Sequence, residues 1–382
     1  MLGLVSLLMD ASSEMIHALL PLFLVSVLGA SAVAVGLIEG VAEAIAQIVK
    51  IFSGAISDAF GKRKPLVLFG YGLAALSKPL FPLATGVAWV ATARFADRIG
   101  KGIRGAPRDA LIADLTDEGN RGAAYGLRQS LDTAGAFIGP AAAVLLMWLL
   151  AGNFHAVLWI AVIPAMLCVL LIWFGVPEPE GHTRAAKVDR PKLSWKEMHG
   201  LGGFYWSVVA VAFAMTLARF SEAFLILRAQ NLGLSMALAP LVMVAMNVAY
   251  MLSSYPVGKL ADRADRRMLL LIGFLLLIAA DLCLAAAQGI ALLAIGVVLW
   301  GLHMGFTQGL LAAMVADASP AARRGAAFGL FYLVSGVAML LASAIAGGLW
   351  SWIGPSATFG AGAVFVTIAT FGSLLLRDNR AA

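Results

Sequence analysis

Acidic and basic side chains stand inside apolar stretches of this sequence, where each needs a partner, a proton or water. An isolated charge near the centre of a bilayer costs several kcal/mol. Asp10, Glu14 and His17 share one apolar run, and Asp10 and Glu14, four apart, lie on one helix face. Glu39, Glu43 and Gln47 repeat every four residues, with Lys50 following. Arg94, Arg98, Lys101 and Arg104 step by four, three and three, which makes one basic face, with Asp97 beside it. Arg128 and Asp132 form a further i,i+4 pair, and Lys78 stands alone in its run. Burial raises the proton affinity of a carboxylate and a nearby cation lowers it again, so such carboxylates can couple proton uptake to a change of exposure. A basic face beside them can bind an anion. The competing reading is a set of ion pairs that merely hold helices together.

Proton-coupling candidates are therefore Asp10, Glu14, Glu39, Glu43, Asp97, Asp132 and, in the second half of the chain, Glu222. Substrate-binding candidates are Arg94, Arg98, Lys101 and Arg128, followed by Arg219, Asn247, Tyr250 and His303, with Gln308 a further polar residue. A lone His such as His303 is more often a satisfied interior residue than a titrating one. Arg104, Arg108 and Asp109 read as gating or structural residues.

The elements that must position these groups are long and apolar. Hydrophobic residues make up 61% of the 382-residue chain and charged residues 13%, with a mean hydropathy of +0.91. Soluble domains carry about 25% charged residues. A bilayer core of about 30 Å takes about 20 residues of helix. Twelve spans are expected, at 3–28, 33–57, 65–84, 87–112, 122–150, 155–176, 201–228, 235–258, 268–287, 290–316, 325–350 and 354–376. The fold expected is an all-α membrane bundle of twelve transmembrane helices in two pseudo-symmetric six-helix halves, 1–176 and 201–382. A cytoplasmic linker over 177–200 joins them, in which Leu193–Met198 can form a short amphipathic helix. The first span is too long and too acidic for a cleavable signal peptide. Cys168 and Cys283 both fall inside spans and imply no disulfide framework.

The halves declare themselves by repetition. Gly54-Ala-Ile-Ser-Asp58-Ala-Phe-Gly61-Lys62-Arg63-Lys64 recurs as Gly258-Lys-Leu-Ala-Asp262-Arg263-Ala-Asp265-Arg266-Arg267, an offset of 204 from Asp58 to Asp262. Arg121-Gly-Ala-Ala-Tyr125-Gly-Leu recurs as Arg324-Gly-Ala-Ala-Phe328-Gly-Leu, an offset of 203. Two unrelated matches at one spacing mark a duplication, and a duplicated membrane bundle points to alternating access. At this offset Arg94, Asp97, Arg98 and Lys101 fall on Val297, Trp300, Gly301 and Met304, so packing does not require the basic face twice. Ser13-Glu14 of the first span matches Ser221-Glu222 of the seventh.

The net charge of +6 follows from topology rather than from a nucleic-acid partner. Lys and Arg gather in the connections after spans two, four, six, eight and ten, and are absent after spans one, three, five, nine and eleven. That pattern puts both termini in the cytoplasm of a bacterial-style inner membrane, with Trp89, Trp350 and Trp352 at the outer interface.

The duplication, the six spans per half, the two basic motifs and the central linker together resemble the major facilitator superfamily, over essentially the whole chain. The resemblance implies a cytoplasmic gate. In that family the aspartate of the motif between helices two and three helps latch the halves when the inside is closed. Gly54, Asp58, Gly61, Lys62 and Arg63 match that motif. Asp262 and Arg266 match its second copy, in which Asp265 replaces the second glycine. Gly135-Ala-Phe-Ile-Gly139-Pro140 is similar to a helix-five glycine–proline motif of exporters, and Arg98-Ile-Gly-Lys101-Gly102 to a helix-four arginine motif.

Taken together, these features describe a secondary transporter, driven by protons, for a small organic anion or zwitterion, with export slightly favoured. No nucleotide-binding motif of the Gly-x-x-x-x-Gly-Lys-Ser/Thr type occurs, so the expected energy source is an ion gradient; no cofactor is expected, and the chain is not expected to be an enzyme. A monomer is the family default. The rivals are a drug or cation exporter using the carboxylates of spans one and two, and a divalent metal carrier using Asp10, Glu14 and His17, although nearby Arg and Lys repel a cation. A non-transporting sensor or a membrane enzyme is more distant, because no output domain or nucleophile–base arrangement is evident.

Overall fold

The computed structural model describes residues 1–60, 63–117, 121–177, 202–261, 264–318 and 324–374. Thirteen α-helices run through them: α1 Leu2–Leu22, α2 Ala32–Phe60, α3 Lys64–Ser77, α4 Val87–Asp114, α5 Arg121–Leu149, α6 Phe154–Gly175, α7 Gly203–Ala218, α8 Ala223–Asn231, α9 Leu241–Ala261, α10 Arg266–Ala286, α11 Ile290–Asp317, α12 Arg324–Trp352 and α13 Pro355–Leu374. No strand occurs among the described residues. The linker expected over 177–200, apart from Pro177, lies outside them, as does its expected amphipathic segment.

Among the described residues, ten segments are long and apolar enough to cross a membrane. The third and fourth spans are helical but fall outside that set. α3 has only 14 residues before a 3₁₀ turn carries the chain on through Lys78–Leu80. α4 carries Arg94, Asp97, Arg98, Lys101 and Arg104 within the length of one span.

Two further spans depart from regular helix. α1 ends in a π-turn, Phe23–Val27, just after Pro21, whose ring removes one backbone donor and crowds the preceding turn. The seventh span, expected unbroken over 201–228, is split into α7 and α8. Arg219 leaves the helical region at φ −100°, ψ 67°. Ser221 restarts the helix, its Oγ accepting from the Ala223 amide at 3.2 Å, as short hydroxyl side chains do at helix starts.

Two compact units emerge. The first comprises Met1–Ala30, Val41–Arg190 and Ser235–Val244; the second comprises Ser31–Gly40, Pro191–Leu234 and Ala245–Ala382. Within the first, α1 packs on α5 and α6, and α3 on α4 and α6. Within the second, α7 packs on α12 and α13, and α10 on α11 and α13. The four pairings are the same at the repeat offset. Lipid offers apolar side chains no less than a neighbouring helix does, so close backbone approach is what holds membrane helices together. Gly135 and Gly139 supply it for α5 against α1. A Cβ on Gly139 would meet the Ala11 carbonyl oxygen at 2.6 Å, and one on Gly135 the Leu7 carbonyl oxygen at 2.8 Å.

Candidate functional site

In the first unit, α1, α2, α3, α4 and α5 bring their charges together in two groups. One group surrounds Asp97. Lys78 Nζ donates to Asp97 Oδ1 at 2.8 Å and to Ser13 Oγ at 2.8 Å. Arg94 and Arg98 each reach Asp97 Oδ2 at 3.8 Å. Arg98 also reaches Glu43 on α2 at 3.3 Å. Lys78, Arg94, Asp97 and Arg98 are all at most 2% exposed, so each charge depends on the others for its solvation.

The second group lies along the other end of α4. Arg104 reaches Asp10 at 3.6 Å and lies over the Tyr71 ring, 4.4 Å from its centroid. Tyr71 Oη and Ser6 Oγ share a hydrogen bond of 3.2 Å. Arg108 donates to Ser6 Oγ at 3.1 Å, to Tyr71 Oη at 3.4 Å and to Asp109 at 3.1 Å. Arg128 donates to Asp132 at 2.6 Å and stands 3.8 Å from Asp109. Planar guanidinium groups suit such multiple contacts.

Glu14 and Lys101 complete the cluster. Glu14 meets His17 Nδ1 at 3.3 Å, one turn along α1. Lys101 is exposed. It makes no hydrogen bond or ion pair among the described residues, yet lies in Coulomb range of both Asp10 and Glu14. Glu39, 1% exposed, belongs to the part of α2 that counts with the second unit.

The second unit's candidates are fewer. With the Gln308 amide oriented by its hydrogen bonds, its oxygen accepts from Arg219 Nη1 and Nη2, both at 3.2 Å, and its nitrogen meets Tyr250 Oη at 3.0 Å. Arg219 thus engages Gln308 on α11. His303 is fully buried; its Nδ1 lies 2.8 Å from the Gly273 carbonyl oxygen and its Nε2 3.5 Å from Thr307 Oγ1. Asn247 is buried on α9, and Glu222 stands half-buried at the break between α7 and α8.

Of the gate residues, Arg63 is well placed: its Nε lies 2.9 Å from Asp114 Oδ2, tying the start of α3 to the end of α4. Gly61, Lys62 and Asp262 lie outside the described residues, as do the side chains of Asp58 and Arg266 and the surroundings of Gly54. Sequence spacing did not single out Ser6, Ser13, Tyr71 or Lys78 as members of the cluster. The available signal for Lys78 was its isolation: a lone ammonium in an apolar run needs a buried partner.

A sequence profile described as Major Facilitator Superfamily matches residues 2–240 and 223–382, which together take in almost the whole chain. The chain belongs to the major facilitator superfamily. It is 33% identical over 388 residues to an uncharacterised MFS-type transporter of Methanocaldococcus jannaschii, covering 98% of this chain and 93% of that one. Over a shorter stretch it is 36% identical, across 146 residues, to the multidrug resistance protein MdtH of Yersinia enterocolitica, covering 38% of this chain and 35% of that one. Among solved structures it superposes on a POT family transporter with a TM-score of 0.81 at 13% identity, covering 98% of this chain and 94% of that one. This superfamily member is therefore a multi-pass membrane transporter of small molecules rather than an enzyme.

Proposed function

We propose that this transporter carries a small organic anion or zwitterion together with protons, by alternating access, with the basic face of α4 as its anion site. The observation that carries the reading is Lys101. Arg94, Arg98 and Arg104 each have a carboxylate within 4 Å. Lys101, on the same face between Arg98 and Arg104, is an exposed ammonium with no such partner among the described residues. An unpaired cation beside a buried cationic row attracts an anion and repels a lipophilic cation.

The coupling follows from Arg98 and Glu43. Glu43 is 28% exposed and Arg98 is 2% exposed, with 3.3 Å between them. Protonating Glu43 removes its claim on the guanidinium, so Arg98 becomes available to an arriving anion beside Lys101. Proton and anion then bind in the same step, which suits symport. Glu14, held by His17, is a second carboxylate on this path. Asp97, enclosed by Lys78, Arg94 and Arg98, acts as a fixed counter-charge. The alternation of Lys and Arg among the connections supports a cytoplasmic-membrane location with both termini inside. Asp58, Arg63 and Asp262 serve the cytoplasmic gate, to which the Arg63–Asp114 pair lends a fixed anchor.

A second reading, export of drugs by proton antiport, has two supports: the partial likeness to MdtH and the glycine–proline stretch at Gly135–Pro140. In this chain those glycines already have a packing role against α1.

The test is counterflow and pH-driven uptake in proteoliposomes, across panels of organic anions and lipophilic cations, for the wild type and Lys101→Gln. Losing one charge-assisted hydrogen bond of about 1.5–3 kcal/mol raises the anion KM about 10- to 150-fold. Unchanged anion transport by Lys101→Gln, or saturable transport of cations alone, overturns the reading.

A further inference from the structure

Asp281 belongs to none of these groups. It lies on α10, where no other charged residue occurs between Met268 and Ala286. It is fully buried, and neither carboxylate oxygen has a hydrogen-bond partner among the described residues. Its carboxyl rests against α13, where a Cβ on Gly362 would meet Oδ2 at 2.5 Å. Every other buried carboxylate described above has a cation or imidazole beside it, or other contacts.

The groups packed around it do not offer a counter-charge. α13 has no titratable residue from Pro355 to Leu374. On α11, His303 turns its Nδ1 to Gly273, two turns before Asp281, and Asp317 ends the helix. On α8, the Arg228 guanidinium donates to the carbonyls of Leu284 and Ala287 at 3.1 and 2.8 Å and to Asn231 at 2.8 Å, closing the end of α10. Cys283 on α10 is half-buried.

The duplication says what stands at this place in the first unit. α3 crosses α4 so closely that a Cβ on Gly100 would meet the Gly70 carbonyl oxygen at 2.6 Å. At the 203 offset these residues become His303 and Gly273, and they touch again, at 2.8 Å. In the same register Lys78 becomes Asp281 and Asp97 becomes Trp300. Lys78 and Asp97 are a buried ion pair. Trp300 is fully buried, and its Nε1, a donor only, has no acceptor among the described residues. The second unit thus has an acid and an N–H donor at the two positions of the ion pair, both unpartnered.

We propose that Asp281 is a proton-binding site of the second half. Its carboxyl is neutral while packed against Gly362, and it ionises when α10 and α13 part enough for water or the Trp300 indole to reach it. Ionised and unpartnered in this apolar setting it would cost several kcal/mol, whereas the neutral acid costs far less. Release breaks the carboxyl O–H bond and passes the proton to water. The site is independent of the α4 cluster and of which substrate is carried.

The experiment is infrared spectroscopy of the full-length protein in liposomes, labelled with carboxyl-13C aspartate and titrated between about pH 5 and about pH 9, a range that brackets carboxyls shifted by burial. The wild type is expected to show at neutral pH a carboxylic-acid C=O band that shifts with the label and is lost in Asp281→Asn. Trp300→Phe, which removes the waiting donor of the charged form, is expected to keep that band to higher pH. Asp281→Ala provides the same subtraction should the amide variant not fold. A wild-type protein without the band at neutral pH, or a band that survives Asp281→Asn, overturns the proposal. So does failure of both the Asn and the Ala variant to fold, since a neutral site tolerates either.

Discussion

Asp97 is the carboxylate on which three buried cations converge, and that makes the two ends of its shortest ion pair unequal. Consider Lys78→Met, Asp97→Asn and the double variant. At 2.8 Å the Lys78–Asp97 attraction is about 6 kcal/mol at an effective dielectric of about 20, and each 3.8 Å contact to Arg94 or Arg98 about 4 kcal/mol. Desolvation offsets most of this, and removing one member of a buried pair costs about 3–5 kcal/mol net. Lys78→Met leaves Asp97 with two guanidinium groups and keeps an alkyl chain in the Lys78 site, so its cost belongs at or below the low end of that range. Asp97→Asn leaves Lys78, Arg94 and Arg98 facing a neutral amide and repelling one another, so it belongs at the high end. The double variant removes one of the three repelling cations and is expected to be more stable than Asp97→Asn alone. Thermal unfolding of the purified variants in one detergent reads this order directly. The reasoning fails if Lys78→Met is as damaging as Asp97→Asn, or if adding it to Asp97→Asn makes matters worse.

Three further variants have expected outcomes. Glu43→Gln mimics the protonated carboxyl beside Arg98 permanently; anion counterflow should persist with a flattened pH dependence, while accumulation driven by a pH gradient is lost, and an unaltered pH profile in proteoliposomes would sink the coupling scheme. Gly139→Ala sets a Cβ against the Ala11 carbonyl and should lower stability by about 1–3 kcal/mol through overpacking. Gly72→Ala, in open space on α3, should be neutral or stabilising by up to about 1 kcal/mol; equal melting temperatures for the two variants would refute the close-packing account.

The helices were legible because apolar length is a strong signal and Gly, Pro and charge punctuate it; the ends of α4, α6 and α11 fall within two residues of expectation. Two of the larger departures have identifiable causes. α9 begins at Leu241 rather than 235 because Pro240 stands just before it, a placement suited to a helix start. The seventh span breaks at Arg219, where Ser221 Oγ takes the Ala223 amide two residues on and the Arg219 side chain is held by Gln308, a contact between distant residues that no periodicity carries. The site divides in the same way. Arg128–Asp132 was readable from its i,i+4 spacing, and the structure makes it a 2.6 Å contact. Lys78–Asp97, Asp10–Arg104 and Arg98–Glu43 join different helices. Sequence predicts that such charges need partners but cannot say which partner each finds, nor that Lys101 is left without one among the described residues.

The duplication turns this from a description into an argument about purpose. The α3–α4 crossing and the α10–α11 crossing are built alike, down to the contact between Gly70 and Gly100 in one and Gly273 and His303 in the other. Yet Arg94, Arg98, Lys101, Arg104 and Arg108 of α4 fall on Val297, Gly301, Met304, Thr307 and Leu311 of α11. At these five positions the chain has therefore made the same helix once with five cations and once with none. Since buried ion pairs are often no more stabilising than apolar residues of similar volume, holding the helices together does not explain why the charged version persists beside the apolar one. A ligand that needs the charges does explain it, and the open ammonium of Lys101 is where that ligand has room to bind.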